Sequence, residues 1–358
     1  MIKFNANDLL PTLKLAIKAI SKSSSLPILD SFMISGNAFG GCLVTASDLE
    51  NTISLACPIQ VDVPGFCVNA QLFLKVIDGN AGKDISIDVD HEHSKMSIKT
   101  GSGKFTMPIE DATDFPTAPV VKEKSVAFYG AAFSDTVNRA AKFVVNDELR
   151  PIMNGVYIGK DYVTATDAHF LYKTEPSFGL SHDVVISSRS IGIVTAWLAA
   201  IQNEELYMAT DGRNIKFSHG DSFITARLIE GKYPNVLSII PSGGDKQFSV
   251  KKDLLLSAIK RVSVFSNKMS MLIKLSFVRD SLTVSSQDLD FSTAAEEVVS
   301  DAICVGDLDI GFNSQKLLQC LSAVSGDSVG FVATYPDKAV LIVGDNEDTI
   351  LLMPMMIN

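Results

Sequence analysis

Apolar residues recur at helical spacing in six stretches of the chain, and these stretches form two alternating sets. The first set predicts three amphipathic helices, near residues 7–22, 133–145 and 251–262. In the second set, each helix follows an apolar residue and a small polar residue that can cap it by accepting hydrogen bonds from first-turn amides. These predicted caps are Asn69, Ser187 and Asn313. Both sets repeat at a period of about 120 residues, which indicates one structural unit used three times.

Between the predicted helices lie runs in which apolar and β-branched residues alternate with polar ones, as in half-buried strands. Examples are "DISIDVD" (84–90), "SKMSIKT" (94–100) and "DSLTVSSQDLDF" (280–291). Gly, Asp and Asn separate the runs in the manner of hairpins. The predicted fold class is therefore α+β, with three similar domains that each pack two helices on antiparallel sheets.

Two segments rich in Pro, Gly, Ser or Lys, at 117–125 and 239–247, mark the predicted domain boundaries. They give domains 1–120, 121–244 and 245–358. A chain of 358 residues also exceeds the length at which one hydrophobic core stops growing.

Composition places the chain among folded globular proteins, with 46% hydrophobic and 20% charged residues. No apolar run reaches the roughly 18 residues that span a bilayer. The N-terminal residues lack the layout of a signal peptide. We therefore expect a cytoplasmic protein without a membrane partner. The five cysteines are scattered and form no CxxC pair, so free thiols are favoured over disulfides or a zinc site.

The charge is unevenly distributed: the chain has a net charge of −10, yet each of the six predicted helices is neutral or positive. Lys14, Lys18 and Lys22 share one helix face by their four-residue spacing. Two interpretations stay open at this point. Lysine-rich surface helices are common, but a positive lining on a negative body would also tolerate DNA against one surface while the outside repels it.

Three short motifs could suggest chemistry, and each has a simpler interpretation. "TDAH" (166–169) resembles an acid–base pair but has no accompanying nucleophile motif. "HEH" (91–93) has no evident third metal ligand and reads as a solvated turn. "GSGK" (101–104) lacks the full phosphate-loop frame and reads as a hairpin turn. The sequence thus predicts no catalytic residue, no metal and no cofactor.

Several segments together resemble the bacterial sliding clamps, the β subunits of replicative DNA polymerase holoenzymes, along essentially the whole chain. They are "SLPILDSFMI" (25–34), "VTASDLE" (44–50), "TDFP" (113–116), "ELRPIMNGVYI" (148–158), "VTATDAHFLY" (163–172), "ARLIEGKYPNV" (226–236), "FSNK" (265–268) and "LLMPM" (351–355). Each is weak alone, but they occur in the family's order on a three-fold repeat.

The resemblance implies a DNA-clamp fold and a ring-shaped, head-to-tail homodimer that encircles double-stranded DNA without reading its sequence. Such a ring tethers the catalytic subunit of the replicative polymerase for processive synthesis. It also binds the clamp loader and other factors that carry clamp-binding peptides. We expect the edges that pair between copies within about 70–110 and 270–305.

The resemblance also implies a hydrophobic pocket for partner peptides, with the C-terminal segment as one wall. The residues that match its motif are Met153, Thr166, His169, Phe170, Leu171, Pro234, Ser238, Ile239, Leu351, Leu352, Met353, Pro354 and Met355. The family's Gly-His-Arg after Thr-Asp is Ala168-His169-Phe170 here, and Met356 replaces a usual Arg. We therefore expect a more apolar and less cationic pocket than is usual.

The cations predicted to face DNA are Lys14, Lys18, Lys22, Arg139, Lys142, Arg150, Arg189, Lys260 and Arg261. The alternative function is a hydrolase or transferase built on repeated α+β domains. An enzyme should show a cleft with convergent ionisable groups, whereas this chain scatters its five histidines.

Overall fold

Six α-helices form at the predicted places in this computed structural model, which describes residues 1–21, 26–37, 40–201, 205–278 and 281–357. They are α1 (Ala6–Ala16), α2 (Ala70–Asp78), α3 (Gly130–Ala141), α4 (Ser188–Ala200), α5 (Lys252–Val262) and α6 (Ser314–Ala323). The first helix is shorter than predicted, because after Ala16 it tightens into a 3₁₀ turn, Ile17–Ala19.

The three predicted caps of the second helix set are confirmed. The side chain of Asn69 accepts a hydrogen bond from the Leu72 amide at 3.0 Å, and that of Asn313 accepts one from the Lys316 amide at 3.1 Å. Ser187 accepts one from the amide three residues further on, also at 3.1 Å. Each cap satisfies an amide that has no partner within its own helix.

The strands occupy the alternating runs between the helices. In chain order they are β1 (Ile2–Asn5), β2 (Ser31–Gly36), β3 (Gly41–Ser47), β4 (Asn51–Gln60), β5 (Phe66–Asn69), β6 (Asp84–Asp90), β7 (Lys95–Lys99), β8 (Lys104–Pro108), β9 (Glu110–Asp111), β10 (Val126–Tyr129), β11 (Gly155–Ile158), β12 (Val163–Thr166), β13 (Phe170–Thr174), β14 (Val184–Ser187), β15 (Glu205–Thr210), β16 (Asn214–His219), β17 (Ser222–Arg227), β18 (Lys246–Lys251), β19 (Leu272–Val278), β20 (Ser281–Asp288), β21 (Thr293–Val299), β22 (Ile303–Val305), β23 (Leu308–Asn313), β24 (Ser328–Ala333), β25 (Val340–Val343) and β26 (Thr349–Leu352).

Contacts divide the chain into two compact units, 1–134 with 178–229, and 135–177 with 230–358. The first unit contains a sheet in the order β1-β6-β7-β8 and a second in the order β10-β15-β16-β17-β4-β3-β2-β5-β9. Its core includes Phe133, whose ring lies 5.2 Å from Phe128 and 5.4 Å from Phe217 between ring centroids.

The second unit contains a sheet in the order β11-β12-β13-β26-β25-β24-β18-β22 and another in the order β21-β20-β19-β23. Phe143 packs in its core against Phe170 and Tyr172, with ring centroids 4.9 and 5.4 Å apart. The strand pairs of both units are antiparallel, so the α+β class with antiparallel sheets is confirmed. The two boundaries between the three predicted domains stay a prediction.

Two motifs that could suggest chemistry lie in hairpin turns of the first unit. "HEH" lies in the turn between β6 and β7, where His93 Nδ1 is 2.9 Å from Asp90. "GSGK" includes the turn between β7 and β8, with Lys99 paired with Lys104, as predicted. Within the described ranges, no helix is both long and apolar enough to cross a membrane. No group of three or more His, Cys, Asp or Glu side chains there could hold a metal ion.

Candidate functional site

A cavity of about 680 Å³ opens in the second unit where the ends of β13 and β26 meet two loops. The end of β13 and the turn before it form one side, and β26 with its continuation forms another. Its lining residues are Thr166, Ala168, Phe170, Leu171, Ile239, Pro241, Thr334, Tyr335, Asp337, Lys338, Ala339, Leu351 and Met353. Among the described residues that line it, most are apolar and only Asp337 and Lys338 are charged. A cavity of this kind suits apolar side chains of a ligand.

Six of the residues predicted from the peptide-pocket motif line this cavity: Thr166, Phe170, Leu171, Ile239, Leu351 and Met353. The other seven are not among its lining residues. Met153 and Leu352 are buried in the core, and Met355 bridges to Gly311. His169 and Pro234 are exposed, Pro354 is half-buried, and the Ser238 hydroxyl donates to the carbonyl oxygen of Asn235 at 2.8 Å.

One wall of the cavity is not predicted from the sequence: the connection between β24 and β25, which runs from Thr334 to Ala339. This connection reaches the site because β25 pairs with β26, with Leu341 opposite Leu351. Its sequence, "TYPDKA", resembles an ordinary turn. The sequence does show that an apolar strand follows this connection, but it does not show which strand pairs with that one.

The C-terminal segment is part of a sheet as well as a wall of the cavity. β26 lies between β13 and β25, and Leu351 faces Leu171 across the pairing with β13. Beyond the strand, the Met353 amide donates to the His169 carbonyl at 2.7 Å, and the Met355 amide donates to the Gly311 carbonyl at 2.8 Å. These bonds fix the backbone so that the side chain of Met353, 38% exposed, remains available at the cavity.

A buried cluster supports the floor of the cavity. Leu171, Val236 and Leu351 form its centre, and partly buried side chains pack around them: Tyr162, Tyr233, Ile240, Ala339 and Leu341. Burial raises the pKa of the Tyr233 phenol above its usual range. The floor is therefore apolar and closely packed, which suits a preformed site.

Asp167 of the "TDAH" motif holds the turn that shapes the cavity. Its carboxylate accepts the amides of His169 and Phe170 at 2.8 and 3.0 Å and forms an ion pair with Lys316. Ala168 adopts a φ of 74°, a backbone conformation that is strained for residues other than glycine. The Lys316 ammonium also lies 4.8 Å from the Phe170 ring centroid. Asp167 thus acts as a structural element of this turn.

Most of the cations predicted to face DNA bind acceptors on their own chain. The ion pairs are Lys14–Asp78 at 2.9 Å, Arg139–Asp348 at 2.6 Å, Arg150–Asp147 at 2.7 Å, Arg189–Asp48 at 2.7 Å and Arg261–Glu297 at 2.5 Å. Lys142 donates to the Ser322 carbonyl at 2.9 Å. Lys18 and Lys260 form no ion pair with any residue that the structure describes, and Lys22 lies outside the described residues.

Two family profiles match the chain, one at each end. The profile described as "DNA polymerase III beta subunit, N-terminal domain" matches residues 2–119, and "DNA polymerase III beta subunit, C-terminal domain" matches residues 237–356. Among curated relatives, the "Beta sliding clamp" of Pseudomonas aeruginosa is 26% identical over 365 residues, 97% of each protein. That of Staphylococcus aureus (strain Mu50) is 25% identical over 359 residues, 95% of this chain and 94% of the relative.

Solved structures of sliding clamps share the fold along the whole chain. A clamp from Bartonella birtlesii bound to griselimycin superposes with a TM-score of 0.91 at 25% identity, covering 99% of both chains. A Pseudomonas aeruginosa clamp bound to griselimycin gives the same TM-score at 22% identity and the same coverage.

Proposed function

Because the chain belongs to the family of DNA polymerase III beta subunits, the bacterial sliding clamps, we propose that two copies close head to tail into a ring around duplex DNA. Sliding clamps of this family are non-catalytic processivity factors, and the chain is one of them. The comparisons give no support to the alternative of a hydrolase or transferase.

The ring is supported by a strand pairing between neighbouring repeats. This pairing occurs twice in the chain, and the third pairing that a three-fold repeat would allow is absent from the described residues. β4 follows the Asp48 turn and pairs with β17, the last strand of a meander. In the same way, β13 follows the Asp167 turn and pairs with β26. In the remaining repeat, β21, which follows Asp288, corresponds to β4 and β13. β8 corresponds to β17 and β26. Both end their sheets in the described part of the chain.

Antiparallel edges of this kind expose unpaired amides and carbonyls and are templates for pairing with another chain. The β8 edge of one copy and the β21 edge of another would repeat the pairing that each copy makes twice internally. One copy has one edge of each kind, at the two ends of its repeat. Two copies therefore satisfy both edges by closing a ring, which is a head-to-tail arrangement.

The repeat also predicts the register of this seam. The two internal pairings place Ala226 opposite Asn51 and Leu352 opposite Phe170. We followed the residues from strand to strand through the pairings of each repeat. Met107 in β8 then corresponds to Ala226 and Leu352, and Thr293 in β21 corresponds to Asn51 and Phe170. Lys104 of one copy then lies directly opposite Glu296 of the other, and both side chains are exposed.

Charge supports this register. The segment 95–108 contains three lysines and no acidic residue, whereas 288–299 contains two aspartates, two glutamates and no basic residue. Opposite charges on facing strands stabilise a pairing, and like charges oppose the pairing of two identical edges. The edges therefore favour each other over self-pairing.

Cysteine cross-linking tests the ring and its register together. Directly opposite residues of antiparallel strands lie within disulfide range, so Lys104→Cys with Glu296→Cys should give a covalent dimer under mild oxidation. Lys104→Cys with Ala294→Cys, two residues out of register, is the matched control. A wild-type chain that sediments as a monomer at all concentrations would contradict the ring. Efficient cross-linking of the control alone would refute the register.

DNA retention by such a ring is topological, which is how a chain of net charge −10 can serve DNA. Cross-linking the ring in the presence of a relaxed circular plasmid should trap protein that stays with the circle in 1 M salt. Cutting the plasmid once should release it. Protein that dissociates from the uncut circle at high salt would instead indicate ordinary electrostatic binding.

We assign the cavity in the second unit to partner peptides of the polymerase catalytic subunit, the clamp loader and other factors. Its apolar lining and the exposed Met353 support this assignment, because methionine repacks around different apolar ligands. Met353→Ala with Pro354→Ala should lower peptide affinity by about 2–4 kcal/mol without unfolding the chain. Met269→Ala, at a methionine that is 92% exposed and outside the cavity lining, is the control.

The readout is fluorescence anisotropy of a labelled peptide with a glutamine followed by a leucine-rich core that ends in phenylalanine. Circular dichroism checks that each variant is folded. Unchanged peptide affinity in the folded Met353 and Pro354 variant would place the peptide site elsewhere.

A further inference from the structure

The two internal junctions, β4 with β17 and β13 with β26, share a polar contact beside the paired strands. At the first, Asp48 Oδ2 lies 2.7 Å from Arg189 Nε of α4. At the second, Asp167 forms an ion pair with Lys316 of α6. Both carboxylates are nearly buried, with side chains 6% and 7% exposed. An ion pair therefore links the hairpin turn to the first turn of a helix at each internal junction.

The cations occupy related positions in their helices. Arg189 is the second residue after its cap, Ser187, and Lys316 is the third after its cap, Asn313. At the proposed seam the corresponding helix is α2, whose cap is Asn69. Its second and third residues are Gln71 and Leu72, and the Leu72 amide is bound by the cap just as the Lys316 amide is. The seam therefore lacks the cation.

The turn after Asp288, which corresponds to the turns at Asp48 and Asp167, also differs from them, because it is longer and contains large apolar residues. Asp288 pairs with Thr293, so four residues form this turn, whereas two separate Asp48 from its partner Asn51. Two of the four are large and apolar: Leu289 is 79% exposed and Phe291 is 73% exposed. The Asp288 carboxylate accepts the Asp290 amide at 3.0 Å.

Leu72 is itself 47% exposed, on the helix that would face this turn. Exposed large apolar side chains on two surfaces that an independent argument brings together are a pair of contact candidates. We infer that Leu72 of one copy packs against Leu289 and Phe291 of a second copy, and that this apolar contact replaces at the seam the ion pair of the internal junctions. The inference rests on the proposed ring and its register.

The replacement has a functional consequence. A ring has to open to admit DNA, and the seam is the junction that separates without breaking the chain. Opening an apolar contact leaves no buried carboxylate without its cation, whereas separation of Asp48 from Arg189 or of Asp167 from Lys316 would do so. This contact of the seam should also be insensitive to salt, unlike one made by surface charges.

The test is a double-mutant cycle on dimer dissociation, measured by analytical ultracentrifugation at low and high salt. Leu72→Ala and Phe291→Ala should each raise the dissociation constant about tenfold at either salt concentration. Together they should raise it by less than the product of the two effects, because the two side chains share one contact. Leu149→Ala, 92% exposed and outside the seam, is the control.

Two results overturn different claims. If the wild-type chain is monomeric at every concentration, the ring itself fails. If the wild type is dimeric but the Leu72 and Phe291 variants, shown to be folded by circular dichroism, dissociate like the wild type or with strictly multiplicative effects, the apolar contact fails and the ring stands.

Discussion

Arg139 provides the sharpest test of how cations divide between structure and DNA. The helical pattern places it among the DNA-facing residues, but its guanidinium contacts Asp348 at 2.6 Å and Asp135 at 2.8 Å. The side chain of Asp348 is only 5% exposed and also accepts the Tyr172 hydroxyl at 2.9 Å. Burial, together with the charge of Asp348, raises the pKa of the Tyr172 phenol above its usual range.

Arg139→Ala removes the only cation paired with Asp348 in the described residues. Breaking a buried pair by removing one partner costs roughly 3–5 kcal/mol. Because Tyr172 and Asn346 still donate hydrogen bonds to the carboxylate, we expect the low end, about 3 kcal/mol. For a unit of this size, that loss lowers the melting temperature by roughly 6–12 °C.

Thermal unfolding followed by circular dichroism measures the effect, and hydrogen exchange in β26 should increase because Asp348 directly precedes that strand. Lys18→Ala is the control, since an exposed lysine without an ion pair should change stability by less than about 0.5 kcal/mol. Arg139→Met with Asp348→Asn should recover much of the loss by removing both charges. An Arg139→Ala protein that melts within a degree of the wild type but loses DNA retention would refute the structural role.

Three further predictions follow from the same geometry. Gly311→Ala should displace the C-terminal segment, because its new Cβ would lie 2.7 Å from the Met355 carbonyl oxygen; we expect weaker peptide binding and a loss of about 1–3 kcal/mol on thermal unfolding. Lys18→Ala and Lys260→Ala should each reduce the salt dependence of DNA binding, a slope change of about 1 in a log–log plot, with peptide affinity unchanged. Arg261 lowers the pKa of the Glu297 carboxyl by hydrogen bonding to it. This pair therefore stabilises the fold above the unfolded-state pKa of Glu297, and the contribution is lost as the pH falls through the folded-state pKa. NMR titration should show a higher Glu297 pKa in Arg261→Gln.

The helices and hairpins could be read from local patterns. Their apolar stripes, their caps and the turn between β7 and β8 depend on residues close in sequence, so periodicity and turn chemistry predicted them. The charge asymmetry and the apolar C-terminal segment were also visible in the chain alone. The family resemblance identified six of the residues that line the cavity, because those residues lie inside short recognisable motifs.

What the sequence could not provide is which distant segments meet. The Thr334–Ala339 wall reaches the cavity only because β25 pairs with β26, and that pairing depends on the whole sheet. Arg139 has the spacing of a surface cation, yet its partner Asp348 lies 209 residues away and is buried. Periodicity reports which face of a helix is polar, whereas the partner of each polar group is a property of long-range packing. The chain by itself thus determined its elements and its family. The tertiary structure decided which cations pair with acidic groups of their own chain, which loop completes the cavity, and that β8 and β21 end their sheets in the described part of the chain.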